Sequence, residues 1–520
     1  MTSFLSPLRS PPPPLPCAAS PATLRAAAWA PFAVAATVAL WAAWAALFNP
    51  AQFGDNIEQF NWSHSLEWGY AKHPPLPTWL LGAAIALFGR APWLGFATAA
   101  ACFAATGAFT WAIARRLLGE SGALVAMLLW SLQTSFSWRA QLYNHNTALV
   151  ACIAAAVWCC LRALDRRPGG WAWWLGAGVA AGCAMLSKYQ ALLPLAGLLL
   201  ALGWCGRLRE RRTAWGVVAA VAVMAMVFAP HAAWVAGHDF TTLRYAATSM
   251  QDATPANALH AAVAFVANQL RMLVAVFAAL AICAALGAIT RRRGAARRVA
   301  DAPSRPADAL VAPYPARDAG RWLFAMVWAP ALALLASSAF GVGLRNHWGV
   351  QTFQFVSLWI AWRWQRRGGV ELARLAAVVL AVHLTMLALY AVQQRQPRAL
   401  DGARRLDTLY PARALARAAT AEWRAVTACP LRYVAGDAFL AGLAALYAGE
   451  GAVVYGDAAA TPWVDPASLA RAGFVVLAER REDLPAGVSR SATFTLRAPG
   501  AAAGGRTVFF GIVAPRAACR

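Results

Sequence analysis

The chain alternates between long apolar runs and short polar segments. The run from Ala26 to Phe48 carries no charged residue, and similar runs recur up to about residue 395. Each run is about 18–25 residues long, the length a helix needs to cross a hydrocarbon core of about 30 Å. The pattern predicts a polytopic α-helical membrane protein with about eleven to thirteen spans. The spans we expect are 26–48, 92–114, 120–137, 146–164, 171–187, 190–206, 214–236, 260–290, 321–340, 348–364 and 370–392.

Composition agrees with that pattern. Hydrophobic residues make up 60% of the chain and charged residues 13%, and the mean hydropathy is +0.49, which excludes an ordinary soluble domain. In a soluble protein the net charge of +24 would suggest binding to nucleic acid. Cytoplasmic loops of membrane proteins collect Arg and Lys, so the charge has a simpler cause here. We expect membrane lipids as partners and no nucleic acid.

The distribution of basic residues predicts the orientation of the chain. Arg clusters lie in alternate loops, around 115–116, 162–167, 207–212, 291–298 and 363–367, whereas the opposite loops carry mostly single basic residues. The positive-inside rule places the Arg-rich loops and the N-terminus in the cytoplasm of a multi-pass inner-membrane protein. The polar segment 49–91 is then extracytoplasmic. Its apolar part, 76–89, is too short to span the membrane and is expected to lie in the interface or to re-enter.

This orientation gives a domain plan. Residues 1–24 are Pro-rich and are expected to be disordered in the cytoplasm, and residues 25–395 form the membrane domain. Residues 291–320 read "RRRGAARRVADAPSRPADALVAPYPARDAG" and predict a cytoplasmic loop. Residues 396–520 are expected to form a small periplasmic α/β domain.

An α/β domain is predicted for residues 396–520 because short strand-like segments alternate there with helical segments. The strand-like segments are "PLRYVAG", "AVVYG", "GFVVLAE", "ATFTLRA" and "TVFFGIV", and the helical ones are "DAFLAGLAALYAG" and "DPASLARA". Asp437, at the end of "VAGD", can cap a helix or belong to a nucleotide site, and without a glycine fingerprint the cap is favoured. Cys429 and Cys519 are candidates for a disulfide.

Ionisable residues are concentrated at the extracytoplasmic ends of the spans. A charged side chain near lipid has a high free-energy cost, so such residues are usually functional or paired with another group. The first loop carries Asp55, Glu58, His64, Glu67, Lys72 and His73, and the next carries Arg139, Tyr143, Asn144, His145 and Asn146. Further groups are Lys188 with Tyr189, the segment Pro230–Tyr245, and "GLRNHWG" (Gly343–Gly349). The chain has only two lysines among its 46 Lys and Arg residues, and both belong to these groups.

A cavity lined by such groups suits an anionic, lipid-borne substrate. A phosphate favours Lys, Arg and His, and a neighbouring carboxylate can act as general base for an incoming hydroxyl. Structural roles remain alternatives: His231 can be a paired structural histidine, and Arg345 can extend to the interface. Since His231 and His238 lack the spacing of a helical metal site, we expect no metal or other cofactor, and a requirement for a divalent cation stays open.

The segment "GDNIEQFNWSHSLEWGYAKHPPLPTWL" resembles the glycosyltransferase family 39 branch of the GT-C superfamily, which includes protein O-mannosyltransferases and lipid A aminoarabinose transferases. "AMLSKYQALL", "PHAAWVAGHDF" and "GLRNHWG" are similar to later family segments. The resemblance implies a GT-C fold and an inverting transferase that uses a polyprenyl-phosphate sugar donor. It places Asp55 at the position of the family's base, with Glu58 as a second acid, and phosphate contacts in the Pro-Pro loop.

The residues that we expect to bind the donor and its phosphate are Lys72, His73, Lys188, Tyr189 and Arg345. Those expected to contact the acceptor or the sugar are Asn56, Tyr70, Asn144, His145, Asn146, His231, His238 and Asp239. Two positions depart from the family pattern, because Asn56 replaces a Glu and Asn146 replaces an acidic residue. Both changes make the expected cavity less negative.

The sequence therefore predicts a membrane glycosyltransferase that moves a sugar onto an extracytoplasmic lipid A, lipid-linked glycan or protein. One alternative is a transporter or flippase of lipid-linked saccharides, which would predict internal repeats and charges in the middle of the spans. The sequence shows neither feature. The other alternative is a non-catalytic membrane scaffold, which the Asn56 replacement leaves open.

Overall fold

The computed structural model describes residues 21–165, 169–250, 255–294, 314–367, 371–395, 407–458, 460–497 and 505–516. These residues form a helical domain followed by a smaller domain with a five-stranded sheet. The helices are α1 (Pro21–Phe48), α2 (Gly54–Trp62), α3 (Leu76–Phe88), α4 (Trp93–Ser131), α5 (His145–Ala163), α6 (Gly170–Ser187), α7 (Leu192–Trp204), α8 (Arg211–Gly237), α9 (Thr241–Met250), α10 (Pro255–Met272), α11 (Val274–Gly294), α12 (Ala316–Ser338), α13 (Gly349–Thr352), α14 (Val356–Gln365), α15 (Leu372–Arg395), α16 (Ala412–Arg424), α17 (Ala438–Ala448) and α18 (Pro466–Ala472). The strands are β1 (Tyr433–Gly436), β2 (Val453–Tyr455), β3 (Phe474–Ala478), β4 (Arg490–Leu496) and β5 (Arg506–Val513).

Six helices in the described part of the chain, α1, α4, α5, α8, α12 and α15, are long and apolar enough to cross a membrane. A seventh span results if the bent pair Ala256–Met272 and Val274–Ile289, which meet at 52°, counts as one. Other predicted spans correspond to shorter helices. The two spans expected at 92–114 and 120–137 form the single element α4. The φ of 71° at Gly119 breaks the helical backbone there, which glycine tolerates without a steric penalty.

Helix packing builds one continuous apolar core in the helical domain. Helix α1 packs on α4, α5 packs between α4 and α6, and α6 packs on α8. The shared core contains large buried aromatic side chains such as Trp41, Trp130 and Trp322. The predicted polytopic helical class with a small C-terminal α/β domain is confirmed by this architecture.

The sheet has the order β2-β1-β3-β5-β4, with the first three strands parallel and β5 antiparallel to both β3 and β4. All five strands overlap the segments predicted from the sequence, although β4 begins two residues and β5 one residue before its segment. Asp437 caps α17 by accepting the N–H groups of Phe439 and Leu440, which confirms its capping role. Helix α16 was not predicted. Cys429 is disulfide-bonded, and its expected partner, Cys519, lies outside the described residues.

The C-terminal domain and the first polar loop share a second apolar core. Ile57 and Phe60 of α2 belong to the same buried cluster as Val434 of β1 and Phe510 of β5. The Gly54 N–H also donates to Asp407 Oδ2 at 3.1 Å, and Asn61 Nδ2 donates to the Ala438 carbonyl at 3.2 Å. The C-terminal domain thus helps to fix α2, the helix that carries Asp55.

Candidate functional site

The Asp55 carboxylate is held by the residue that caps α5. The Asn144 Oδ1 accepts the backbone N–H groups of Asn146 and Thr147, so its amide nitrogen must point the other way, and Nδ2 donates to Asp55 Oδ2 at 2.8 Å. Asp55 lies in the first turn of α2 and is exposed. Its Oδ1 has no hydrogen bond within the described residues. One carboxylate oxygen is therefore oriented by the protein, and the other is free to accept a proton.

Asn56, one position along, faces the protein interior. Its Oδ1 accepts the Tyr143 N–H at 2.8 Å, and its Nδ2 donates to Gln52 Oε1 at 2.8 Å and to the Gln141 carbonyl at 3.3 Å. The side chain is fully buried. The neutral amide both donates and accepts here, which a carboxylate cannot do. Asn56 thus holds the segment that leads to Asn144, instead of contacting a substrate.

Lys188 lies in the turn that follows α6 and is 7% exposed. Its Nζ donates to Asn146 Oδ1 at 2.9 Å, and this neutral amide is its direct partner. Burial lowers the pKa of Lys188 to about 7, and the Asp55 carboxylate opposes that shift. Because no carboxylate neutralises the ammonium by direct contact within the described residues, its charge is available to an anion.

Lys72 and Glu58 form an ion pair across the first loop. Burial disfavours the charge on Lys72, but the Coulombic attraction and hydrogen bond of Glu58 outweigh burial and raise its pKa. Glu58 is therefore occupied by a cation, which leaves Asp55 as the better-placed base. For the same reason Lys72 is a weaker phosphate contact than Lys188.

Three imidazoles lie beside the lysines. The ring centroids of His73 and His145 are 3.9 Å apart, and those of His145 and His347 are 6.3 Å apart. Burial and the charges of Lys188 and Lys72 lower the pKa of His73, so it is neutral at pH 7. His145 is 7% exposed, yet neither of its ring nitrogens has a hydrogen-bond partner in the described part of the chain. Buried polar groups are normally paired, so a bare imidazole here favours a bound ligand.

Arg139 and His347 also belong to this group, although neither was among the residues expected to bind the donor, the acceptor or the sugar. Desolvation and the charges of Lys188, Arg139 and Arg345 lower the pKa of His347 to about 3, and the charge of Arg139 also interacts with Asp55. His347 stands two positions after Arg345 in the motif "GLRNHWG". We use the name Asp55 cluster for Asp55, Glu58, Lys72, His73, Arg139, Asn144, His145, Asn146, Lys188 and His347.

Tyr189 and His231 form a separate, fully paired group with Thr242. His231 Nδ1 lies 2.7 Å from the Trp68 carbonyl, which can only accept, so Nδ1 carries the proton and Nε2 accepts from the Tyr189 hydroxyl at 2.8 Å. The Thr242 hydroxyl then donates to the Tyr189 oxygen at 2.8 Å. This Tyr189 cluster ties the first loop to α8 and α9. The geometry matches the structural alternative for His231.

The remaining predicted residues lie outside both clusters. Tyr70 is buried, stacks on Trp62 and donates to the Ser65 carbonyl at 2.6 Å. Arg345 is exposed and donates to the Ser249 carbonyl at 3.0 Å. His238 stacks on Trp234, and both His238 and Asp239 are exposed where α8 ends. No group of three or more His, Cys, Asp or Glu residues in the described chain has the geometry of a metal site.

Comparisons with known proteins identify what this chain is similar to. A family model described as dolichyl-phosphate-mannose-protein mannosyltransferase matches residues 72–234, which include Lys72, the 139–146 segment and Lys188. The chain is 30% identical over 190 residues to the lipopolysaccharide core galacturonosyltransferase RgtA of Rhizobium johnstonii, covering 35% of this chain and 37% of that protein. It is 28% identical over 204 residues to the lipid A galacturonosyltransferase RgtD of the same organism, covering 37% of this chain and 40% of that protein. The chain thus spans well under half the length of these relatives.

The fold comparison covers much more of the molecule. The crystal structure of ArnT from Cupriavidus metallidurans bound to undecaprenyl phosphate matches with a TM-score of 0.55 and 16% identity, over 94% of this chain and 98% of that one. At this identity the likeness shows a shared fold. The predicted resemblance to GT-C glycosyltransferases is confirmed, and the chain has the GT-C fold of a multi-pass membrane protein.

Proposed function

We propose that this chain is an inner-membrane glycosyltransferase that moves a sugar from a polyprenyl-phosphate donor to a hydroxyl group of a cell-envelope glycolipid. The observation that carries the proposal is the Asp55 cluster. Among the described residues it combines a carboxylate with one free oxygen, a lysine without a carboxylate partner and a buried histidine whose ring nitrogens form no hydrogen bond. The geometry suits the joint binding of a hydroxyl and a phosphate.

In this mechanism the acceptor hydroxyl attacks the anomeric carbon of the donor while its proton passes to Asp55 Oδ1. The bond between the anomeric carbon and the phosphate oxygen breaks, and polyprenyl phosphate leaves with one more negative charge. Lys188 stabilises that charge, since a buried cation acts most strongly where water is excluded. Attack opposite the leaving group inverts the sugar, as the family resemblance implies.

Asn144 and Asn146 are assigned positioning roles. Asn144 fixes Asp55 Oδ2 and thereby directs Oδ1, and Asn146 holds the Lys188 ammonium without neutralising it. An acidic residue at position 146 would pair with Lys188 and weaken its attraction for phosphate. His73 and His145 supply further contacts to the donor headgroup. We infer that the Asp55 cluster and the C-terminal domain face the periplasm, as the loop charges predict.

The names of the relatives suggest the first substrates to examine. RgtA and RgtD are named as galacturonosyltransferases of the lipopolysaccharide core and of lipid A, and ArnT was solved with undecaprenyl phosphate. A galacturonosyl donor on a polyprenyl phosphate and a lipid A or core acceptor follow from these names. A flippase is less well supported, because no ionisable residue of the Asp55 cluster lies in the middle of one of the six long apolar helices of the described chain.

The deciding experiment uses the purified full chain in lipid nanodiscs with polyprenyl-phosphate galacturonic acid, radiolabelled in the sugar, and lipid A. We expect label to appear in lipid A with release of polyprenyl phosphate, and no label when the acceptor is omitted. Other polyprenyl-linked sugars and a protein acceptor form the comparison set. Movement of the donor across proteoliposome membranes without transfer to any acceptor would favour the flippase and contradict the proposal.

A further inference from the structure

A cavity of about 450 Å³ lies on a part of the molecule that the Asp55 cluster does not line. It is bounded by the ends of α1 and α4 and by the first turns of α16. The residues that matter for its chemistry are Asn49, Trp93, Phe96, Arg413 and Arg417. Its volume falls in the range of about 300–1,000 Å³ that is typical of small-molecule sites.

The wall formed by α16 is strongly basic. Arg413 and Arg417 are four positions apart, so they lie on one face of the helix, and both are exposed. Like charges at this spacing repel each other. Neither forms an ion pair within the described residues, and no Asp or Glu lines the cavity. By contrast, Arg424 at the end of the same helix pairs with Glu450 at 2.9 Å.

The opposite wall is apolar and belongs to two membrane-spanning helices. Trp93 opens α4 and is 50% exposed, Phe96 lies one turn further along, and Ala46 stands near the end of α1. Trp is enriched where a membrane meets water. The cavity therefore lies where a lipid headgroup and the first part of its acyl chain would be found.

A third observation points to a ligand. Asn49 lines the cavity and is 8% exposed, and its Oδ1 accepts from the Tyr390 hydroxyl at 2.8 Å and from Gln394 Nε2 at 2.7 Å. Its Nδ2, however, is buried and has no hydrogen-bond partner among the described residues. The cavity thus gathers two guanidinium groups that form no ion pair in the described part of the chain, and it borders an amide whose nitrogen has no acceptor there.

We propose that this cavity binds the phosphate headgroup of an anionic lipid, with the acyl chain directed along α1 and α4. Guanidinium groups bind phosphate oxygens through paired, charge-assisted hydrogen bonds. The site is separate from the donor pocket of the proposed function and does not depend on it, because lipid binding can be measured without any transfer of sugar.

The test uses the full-length protein in nanodiscs of phosphatidylcholine that contain phosphatidic acid with a diazirine close to the headgroup. After illumination, labelled peptides are mapped by mass spectrometry. We expect saturable labelling of the peptides that contain Phe96 and Ala414, and displacement by unlabelled phosphatidic acid. The double variant Arg413→Gln/Arg417→Gln should lower this labelling at least tenfold.

Two further variants keep the test decisive. Ala414→Phe narrows the cavity without changing its charge and should also lower the labelling. Arg432→Gln/Arg497→Gln removes two exposed charges of the C-terminal domain that do not line the cavity and should leave labelling unchanged. The proposal is overturned if Arg413→Gln/Arg417→Gln labels normally or if a phosphatidylcholine probe labels the same peptides equally. Complete displacement by millimolar inorganic phosphate would indicate a site for a free anion and would also overturn it.

Discussion

The Asp55 cluster and the Tyr189 cluster are both polar, both contain histidine, and both lie where the first loop meets the helix ends. In the Tyr189 cluster each polar atom has a partner: the Trp68 carbonyl, His231, the Tyr189 hydroxyl and Thr242 form one continuous chain of hydrogen bonds. In the Asp55 cluster some hydrogen-bonding atoms are unpaired. Asp55 Oδ1 and both ring nitrogens of His145 have no partner among the described residues.

Whether its polar atoms are paired distinguishes a structural cluster from a functional one more clearly than its residue types do. Pairing a buried polar group contributes modestly to stability, whereas leaving it unpaired costs its full desolvation. A protein tolerates unpaired groups mainly where a ligand completes them. The two clusters therefore predict opposite responses to conservative substitutions.

The largest effect is expected for Asp55→Asn. The substitution keeps the size of the side chain but removes its ability to accept a proton. We expect kcat/KM for sugar transfer to fall by about 10²–10⁴-fold, the usual contribution of a general base, without a change in Tm. Asp239→Asn is the matched control, because Asp239 is exposed at φ 53°, a conformation that Asn also adopts. A transfer rate within threefold of wild type for Asp55→Asn would remove Asp55 from the mechanism.

The second effect concerns pH. Burial lowers the pKa of Lys188 to about 7, so its charged form predominates below pH 7 and is lost above it. The phosphodiester of the donor does not titrate in this range. KM for the donor should therefore rise about tenfold between pH 6 and pH 8, following the loss of charge, since each pH unit above the pKa lowers the charged fraction about tenfold. Lys188→Arg keeps its charge and should flatten the profile. An unchanged pH profile in that variant would show that another group binds the phosphate.

A smaller effect is expected for Asn144→Ser. Serine can still cap α5, so the helix should remain stable, but its short side chain cannot orient Asp55. Loss of a hydrogen bond to a charged group corresponds to about 1.5–3 kcal/mol, and because Asp55 is exposed to water we expect the lower end of that range, a fall in kcat of about tenfold. KM for the donor should change little. A fall in Tm with unaltered kcat would instead show that Asn144 only caps α5 and does not orient Asp55.

The smallest effect on transfer is expected for Tyr189→Phe. Removing the hydroxyl leaves the buried His231 Nε2 without its donor and should lower the free energy of unfolding by about 1–3 kcal/mol. Transfer at a temperature well below Tm should stay within about threefold of wild type. A large rise in KM for the donor with an unchanged Tm would place Tyr189 in the donor site and erase the contrast between the clusters.

Much of the architecture follows from local signals. The apolar runs around α1, α8 and α15 have the length of a membrane span, and short strand-like segments indicated all five strands of the tail. The first loop was recognised as the probable site from its polar residues and its motif, and Asp55, His73 and Lys188 do lie together. The sequence did not reveal that Lys72 is paired with Glu58 or that the His347 ring lies 6.3 Å from the His145 ring.

Local chain properties thus determined the membrane-spanning class, the sheet segments and the cap at Asp437. The length of an apolar run, the strand propensity of a short segment and helix capping all depend on residues close in sequence. The tertiary structure decided which polar groups remain without a hydrogen-bond partner. Asn144 and Asp55 are 89 positions apart, Lys188 and Asn146 are 42 apart, and Tyr189 and His231 are also 42 apart. Such contacts depend on how distant helices pack, and no local pattern distinguishes a histidine whose nitrogens are paired from one whose nitrogens are free.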